Sequence, residues 1–219
     1  MPETSIDAYA KMDAMYRYQR YFYDASRKFY LLGRDRLIEQ MEVSNGNSVA
    51  EIGCGTGRNL EILAKKYPQA RFFGLDASSE MLESASAKTA DLNNIILKTA
   101  LADNFDHQQT FGLDDKLDSI FFSYSISMIP PWRESIGNAI ANLKPGGTLY
   151  IVDFYDQLDL PRWFRVVLRA WLKQFHVQFW GELLPFLYDL DRSGKGRLEI
   201  ESVARRYAFI ATFRKSQKS

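Results

Sequence analysis

The run Val49-Ala50-Glu51-Ile52-Gly53-Cys54-Gly55-Thr56-Gly57 constrains this chain more than any other segment. An apolar stretch ends against closely spaced glycines, and glycine both tolerates positive φ and lets a ligand approach the main chain. Leu60, Leu63, Ala64 and Tyr67 then recur at i, i+3, i+4 and i+7, so an amphipathic helix is predicted to start where the glycines stop. Strand, tight loop and helix N-terminus together form a backbone-lined pocket whose free N–H groups face a small cofactor. The segment points to an enzyme rather than a scaffold.

Spacing separates the nucleotide-type readings of this loop. A dinucleotide fingerprint needs glycine at 53, 55 and 58, but position 58 is Arg, and the Gly-Lys-Ser/Thr of a P-loop is absent. Further along, the strand Arg71 to Leu75 ends in Asp76, 21 residues beyond Gly55, where a second-strand carboxylate can grip ribose hydroxyls. A helix-capping acid ahead of Ser78 and Ser79 is the plainer role for Asp76. Ile95 to Leu97 reads as a third strand, Leu117 to Ser123 as a buried fourth, and Leu143 to Val152 as helix end, turn and fifth strand. Arg197 to Val203 and Tyr207 to Phe213 read as a closing hairpin.

In that order, the pattern Glu51-x-Gly53-x-Gly55-x-Gly57 resembles motif I of the class I methyltransferases that use S-adenosylmethionine. The resemblance implies an α/β, Rossmann-like sheet of seven strands, mostly parallel with an antiparallel last strand, helices on both faces and an N-terminal helical cap. It implies one domain over 1–219, with the cap at 1–41, the cofactor core at 42–155 and an amphipathic helix and hairpin at 156–219. It also implies S-adenosylmethionine as cofactor and S-adenosylhomocysteine as product. The cofactor residues expected on this basis are Arg34, Glu51, Gly53, Cys54, Gly55, Asp76, Ala77, Met81, Ala102, Asp103 and Ser123. A domain that kept the loop shape and lost the cofactor is the competing reading.

Composition narrows the setting. The chain has 219 residues, 46% of them hydrophobic, enough for a full core, and its net charge of +1 provides no global basic field for nucleic acid. Cys54 is the single cysteine, read as a small residue in a tight loop. His107 and His176 stand far apart without a Cys/His cluster, so no metal is expected. Met1 to Asp7 lacks the basic and apolar regions of a secretory signal, and no apolar run approaches the ~18 residues of a membrane span. A cytoplasmic protein, with attachment to the inner membrane face open, is the expectation.

Two outer segments bear on the acceptor. Residues 7–41 crowd Tyr16, Tyr18, Tyr21, Phe22, Tyr23, Phe29 and Tyr30 among Arg17, Arg20, Arg27, Arg34 and Arg36. Aromatic faces attract cations and arginine forks match carboxylates, which suits a zwitterionic amine, although ordinary core packing uses the same pattern. Pro161 to Trp180 places Arg162, Arg165, Arg169, Lys173 and His176 on one predicted helical face and Trp163, Phe164, Val166, Val167, Trp171 and Phe175 around the rest. That combination marks either a helix at a membrane surface or one covering the sheet. Asp189 to Gly194 imitates a calcium loop, but its twelfth position is Ile200, so it reads as a turn.

Tyr16 to Arg20, Tyr23 to Ile38, the glycine loop and the closing Arg205 to Lys215 together resemble the betaine-lipid N-methyltransferases, which add three methyl groups to diacylglyceryl homoserine. That resemblance implies an amine-bearing lipid acceptor, with Tyr23 and Tyr124 orienting the nitrogen and Tyr16, Arg20 and Ser125 contacting substrate. Arg20 and Arg34 compete for the substrate and cofactor carboxylates. Tyr23-Asp24 followed by Leu32-Gly33-Arg34 also resembles the cap of quinone C-methyltransferases. A noncatalytic cofactor-binding subunit is the alternative of another class. Number of methyl groups and oligomeric state are not legible.

Overall fold

A computed structural model describes residues 31–175 and 177–217. Seven strands form one sheet: β1 (Ser48–Ile52), β2 (Arg71–Asp76), β3 (Ile95–Thr99), β4 (Leu117–Ser123), β5 (Leu143–Phe154), β6 (Gly196–Val203) and β7 (Ala208–Lys215). The described helices are α1 (Arg34–Gln40), α2 (Arg58–Lys66), α3 (Ser79–Lys88), α4 (His107–Phe111), α5 (Trp132–Asn142), α6 (Arg162–Lys173) and α7 (Leu183–Arg192). Strand order is β3-β2-β1-β4-β5-β7-β6. β7 runs antiparallel to both neighbours and every other pairing is parallel, as the closing hairpin and the strand-helix alternation predict.

The period of two along each strand divides the interior into two layers. Val49, Phe72, Phe121, Tyr150 and Val152 point to one face, where Leu60, Leu63 and Ala64 of α2 and Leu37 and Ile38 of α1 cover them. Ala50, Phe73, Ile120, Leu149 and Ile151 point to the other, against Ile136 and Ala139 of α5 and Leu183 and Leu187 of α7. Full burial of such side chains contributes about 1.5–3 kcal/mol each, so the sheet is anchored from both sides. β1 lies between β2 and β4, where the strand order reverses, and open α/β sheets place their ligand crevice at the carboxyl ends of the strands there.

Three local expectations are corrected. The helix predicted over Pro161 to Trp180 ends at Lys173, and residues 177–180 are irregular: Gln178 N–H donates to the Ser127 carbonyl (2.8 Å) and the Trp180 indole to the Ile126 carbonyl (2.9 Å). Tertiary bonds to the turn after β4 thus outcompete helix propagation. Asp189 to Arg192, read as a turn, is the last turn of α7, whose Leu183, Leu187 and Leu190 are buried; only the residues about Gly194 (φ 73°) turn the chain. Leu143 opens β5 rather than closing a helix, and the four residues Lys144 to Gly147 bulge between the pairs Leu117–Leu143 and Ser119–Thr148. Most of the expected cap, including Tyr16, Arg20 and Tyr23, lies outside the described residues.

Candidate active site

The glycine loop folds as its spacing demands. Gly53, Gly55 and Gly57 have φ of 73°, 54° and 74°, a region that costs other L-residues about 1–2 kcal/mol each. At Gly53 space is also exhausted, since an added Cβ would sit 2.5 Å from Ser125 Cβ. The Gly53 and Cys54 amides donate to the Leu75 carbonyl at 2.7 and 3.0 Å, and Ser125 Oγ donates to the Ile52 carbonyl at 2.8 Å. The ends of β1, β2 and β4 are thereby tied together through the loop.

A narrow crevice opens there, lined by Leu31, Arg34, Glu51, Gly53, Cys54 and Ser123, with Thr56, Arg58 and Asn59 on its α2 side. Glu51 is buried and Asn59 Nδ2 donates to its Oε1 at 2.7 Å. Arg58 bridges to Asp35 at 2.8 Å, linking the starts of α1 and α2 across the opening. Burial, reinforced by the Asp76 and Glu51 carboxylates, raises the Cys54 thiol well above its ordinary pKa. It therefore stays protonated and is no nucleophile, consistent with its reading as a small loop residue.

Asp76 does more than end a strand. Its Oδ2 accepts from the Gly55 amide (2.8 Å) and its Oδ1 from the Ser78 amide (2.9 Å), so one carboxylate holds both the glycine loop and the approach to α3. The capping role belongs to Ser78, whose Oγ accepts from the buried Met81 amide. Ala77 lies half-buried between them; Ala102 is half-buried and Asp103 exposed in the loop after β3. None of Asp76, Ala77, Met81, Ala102 and Asp103 lines the narrow crevice itself.

Beyond β4, Tyr124 adopts φ 56° and is buried, its ring edge-on to Phe154 with centroids 4.8 Å apart. Its hydroxyl donates to the Leu32 carbonyl, and burial, with Tyr207 and Asp153 adding to it, raises its pKa well above the ordinary tyrosine value. Any contact of Tyr124 with an acceptor would use the oxygen lone pairs, not a phenolate. Sequence reasoning missed a second opening, a cavity of about 300 Å³ over the end of β5, walled by Asp153, Phe154, Arg169, Phe179 and Trp180. A lone acid closing the apolar run Thr148 to Val152 is the signal that could have revealed it.

Asp153 is 1% exposed, and burial lifts its carboxyl from 3.8 to about 6 against the backbone and side-chain hydrogen bonds of Ser127. The folded chain therefore retains a proton that the unfolded chain loses between these two values. Stability falls as pH rises through that window and is flat above it. Urea midpoints should show Asp153 removing about 2 kcal/mol between pH 4 and pH 7, and Asp153→Asn should abolish this component. Asp106 and Asp156, whose pKa values are lowered, act in the opposite sense at lower pH.

Residues 50–149 match the family model described as "Methyltransferase domain". Trans-aconitate 2-methyltransferase of Rhodopseudomonas palustris (strain BisB18) is 30% identical over 125 residues, 57% of this chain and 45% of that protein. The chain thus spans about half the length of the curated relatives it matches. Among solved structures, the methyltransferase in complex with the Haloferax volcanii Trm112 methyltransferase activator superposes with TM-score 0.75 at 17% identity, covering 94% of this chain and 98% of that one. A SAM-dependent methyltransferase from Aquifex aeolicus gives TM-score 0.62 at 18% identity, covering 95% and 97%. Strand order, glycine loop and domain match together give this chain the Rossmann-like fold of the methyltransferases it is similar to, with the matched methyltransferase domain over residues 50–149.

Proposed function

We propose that the chain methylates the amine of an amphiphilic acceptor, a glycerolipid with a homoserine headgroup, using S-adenosylmethionine as donor. The observation carrying the cofactor half is the crevice built on Gly53, where backbone replaces side chains beside the buried carboxylate Glu51. Its residues fit the amino-acid end of the group, Arg34 for the methionine carboxylate and Glu51 and the loop for its ammonium, while Asp76, outside the crevice lining, would meet ribose hydroxyls. Bound there, the cofactor supplies an electrophilic methyl carbon on a positively charged sulfur. Arg34, Glu51 and the glycine loop would hold the cofactor so that this carbon is available to the lone pair of a deprotonated acceptor amine. The protein's part is alignment and exclusion of water, which can lower a barrier by about 7–11 kcal/mol. Desolvation in a dry site favours loss of the ammonium proton, which must leave before the nitrogen can take a methyl group.

The acceptor half rests on α6. Trp163, Val166, Val167 and Ala170 share one face at i, i+3, i+4 and i+7, and all are exposed, Trp163 at 70%. Leu168 and Leu172 on the opposite side are buried in the core, so the helix covers the sheet and still leaves an apolar strip outside. Exposed Arg162, Arg169 and Lys173 flank that strip. An apolar strip bordered by cations suits an anionic membrane surface. Among the described residues no helix is long and apolar enough to cross a membrane. Full-length protein should cosediment with phosphatidylglycerol vesicles at low salt, and replacing Trp163, Val166 and Val167 by Ser should reduce partition by about tenfold or more. Unchanged partition would return the strip to plain solvent exposure.

The relatives' trans-aconitate is a polyanion, and the buried Asp153 beside the end of β5 opposes such an acceptor. Purified protein with methyl-labelled cofactor should label diacylglyceryl homoserine in vesicles and leave trans-aconitate unlabelled. Label on trans-aconitate, or on no amine, overturns this reading.

A further inference from the structure

We infer that the cavity over the end of β5 is a headgroup site for an amino-acid zwitterion, its amine set against Asp153 and its carboxylate against Arg169. This rests on the proposed methyl transfer and names the part of the acceptor that the protein recognises. β1, β4 and β5 are consecutive in the sheet, so the strand ends that carry the crevice and this cavity, β1 and β5, are two strand spacings apart, about 10 Å. Tyr124 stands between them, touching Phe154 of the cavity wall. One small molecule can therefore occupy the cavity and present its nitrogen beside the crevice.

The chemistry of the walls selects the class. Asp153 Oδ2 accepts from the Ser127 amide at 2.9 Å and Oδ1 from the Phe154 amide at 2.8 Å, with the Ser127 side chain and the Ile126 amide also acting on the carboxylate, all of them neutral donors that leave its charge uncompensated. No Lys or Arg forms an ion pair with it among the described residues. A buried carboxylate without a counter-charge calls for a cationic ligand. Phe154, Phe179 and Trp180 surround the same space, and aromatic faces stabilise ammonium groups, methylated ones included.

Arg169 is fixed at the rim. It lies 4.7 Å over the Phe179 ring, Nη2 donates to the Asp156 carbonyl at 2.8 Å, and Nε donates to Gln157 Oε1 at 3.3 Å. The neighbouring Asp156 carboxylate is engaged by Arg206. Arg169 keeps donors for an incoming carboxylate, already oriented by its stacking. Gly181, also on the wall, has nothing within 4 Å of an added Cβ, so a large side chain is accommodated at the cavity's edge without a clash.

Titration calorimetry on the full chain saturated with S-adenosylhomocysteine tests the assignment, with O-hexyl-homoserine and hexyltrimethylammonium as probes. Wild type should bind both. Arg169→Gln should weaken the homoserine probe by roughly 30-fold and spare the ammonium probe, whereas Asp153→Asn should weaken both by roughly that factor. Gly181→Trp should abolish both while S-adenosylhomocysteine still binds, which also guards against a misfolded Asp153→Asn. Normal product binding with no probe binding, or probe affinity indifferent to Gly181→Trp and Arg169→Gln, overturns the headgroup site alone. Failure of wild type to bind S-adenosylhomocysteine overturns the methyltransferase reading and this inference with it.

Discussion

Gly53→Ala is expected to abolish S-adenosylmethionine binding and to lower the unfolding free energy by about 2–4 kcal/mol. Two costs combine. The residue at position 53 has φ 73°, and its new methyl group would lie 2.5 Å from Ser125 Cβ. Ser125 cannot retreat freely, because its hydroxyl is bonded to the Ile52 carbonyl at 2.8 Å. Relief must come from the loop, which would pull the Gly53 and Cys54 amides from the Leu75 carbonyl and displace the backbone lining the crevice. The double variant Gly53→Ala with Ser125→Gly separates the terms: removing the Ser125 side chain should return the steric part and leave the ~1–2 kcal/mol of left-handed backbone. Urea denaturation gives the stability and calorimetry the binding. A single variant that binds cofactor normally would show that the loop tolerates a side chain and is not the ligand's seat.

The same loop explains what was legible in the sequence and what was not. Glycines at 53, 55 and 57 have few structural uses at that spacing after an apolar strand, and all three take positive φ. Leu60, Leu63 and Ala64 announced α2 because local periodicity and tertiary burial agree there. Where the two disagree, the reading failed. Basic and aromatic residues continue helically past Lys173, but the Ser127 and Ile126 carbonyls draw Gln178 and Trp180 out of the helix, and no one-dimensional pattern encodes those partners. Asp189 to Arg192 looks like a turn by composition, yet Leu187 and Leu190 bury the last turns of α7. The candidate site divides likewise. Arg34, Glu51, Gly53, Cys54 and Ser123 meet in one crevice, while Asp76, Ala77, Met81, Ala102 and Asp103 do not line it, and Asp153, Arg169 and Trp180 meet only through the crossover after β5.

Asp76→Ala should be the second severe variant, and it separates fold maintenance from ligand contact. Its carboxylate accepts from the Gly55 and Ser78 amides at 2.8 and 2.9 Å in a buried setting. Deleting it leaves two buried N–H donors without this acceptor, each at a cost of about 1–3 kcal/mol, so stability should fall by about 2–6 kcal/mol. Asp76→Asn keeps one acceptor oxygen and turns an amide toward the other donor, so its loss should be smaller but of the same kind. Binding tells the roles apart. Proposed hydrogen bonds from ribose hydroxyls to this charged group are worth about 1.5–3 kcal/mol each, so S-adenosylhomocysteine affinity should fall by about 100-fold in Asp76→Asn even where the variant is fully folded. S-methylmethionine, a sulfonium without ribose, would lose little in the same variant. Equal losses for the two ligands would mean that Asp76 acts through the glycine loop alone, and the ribose contact would have to be sought on another residue.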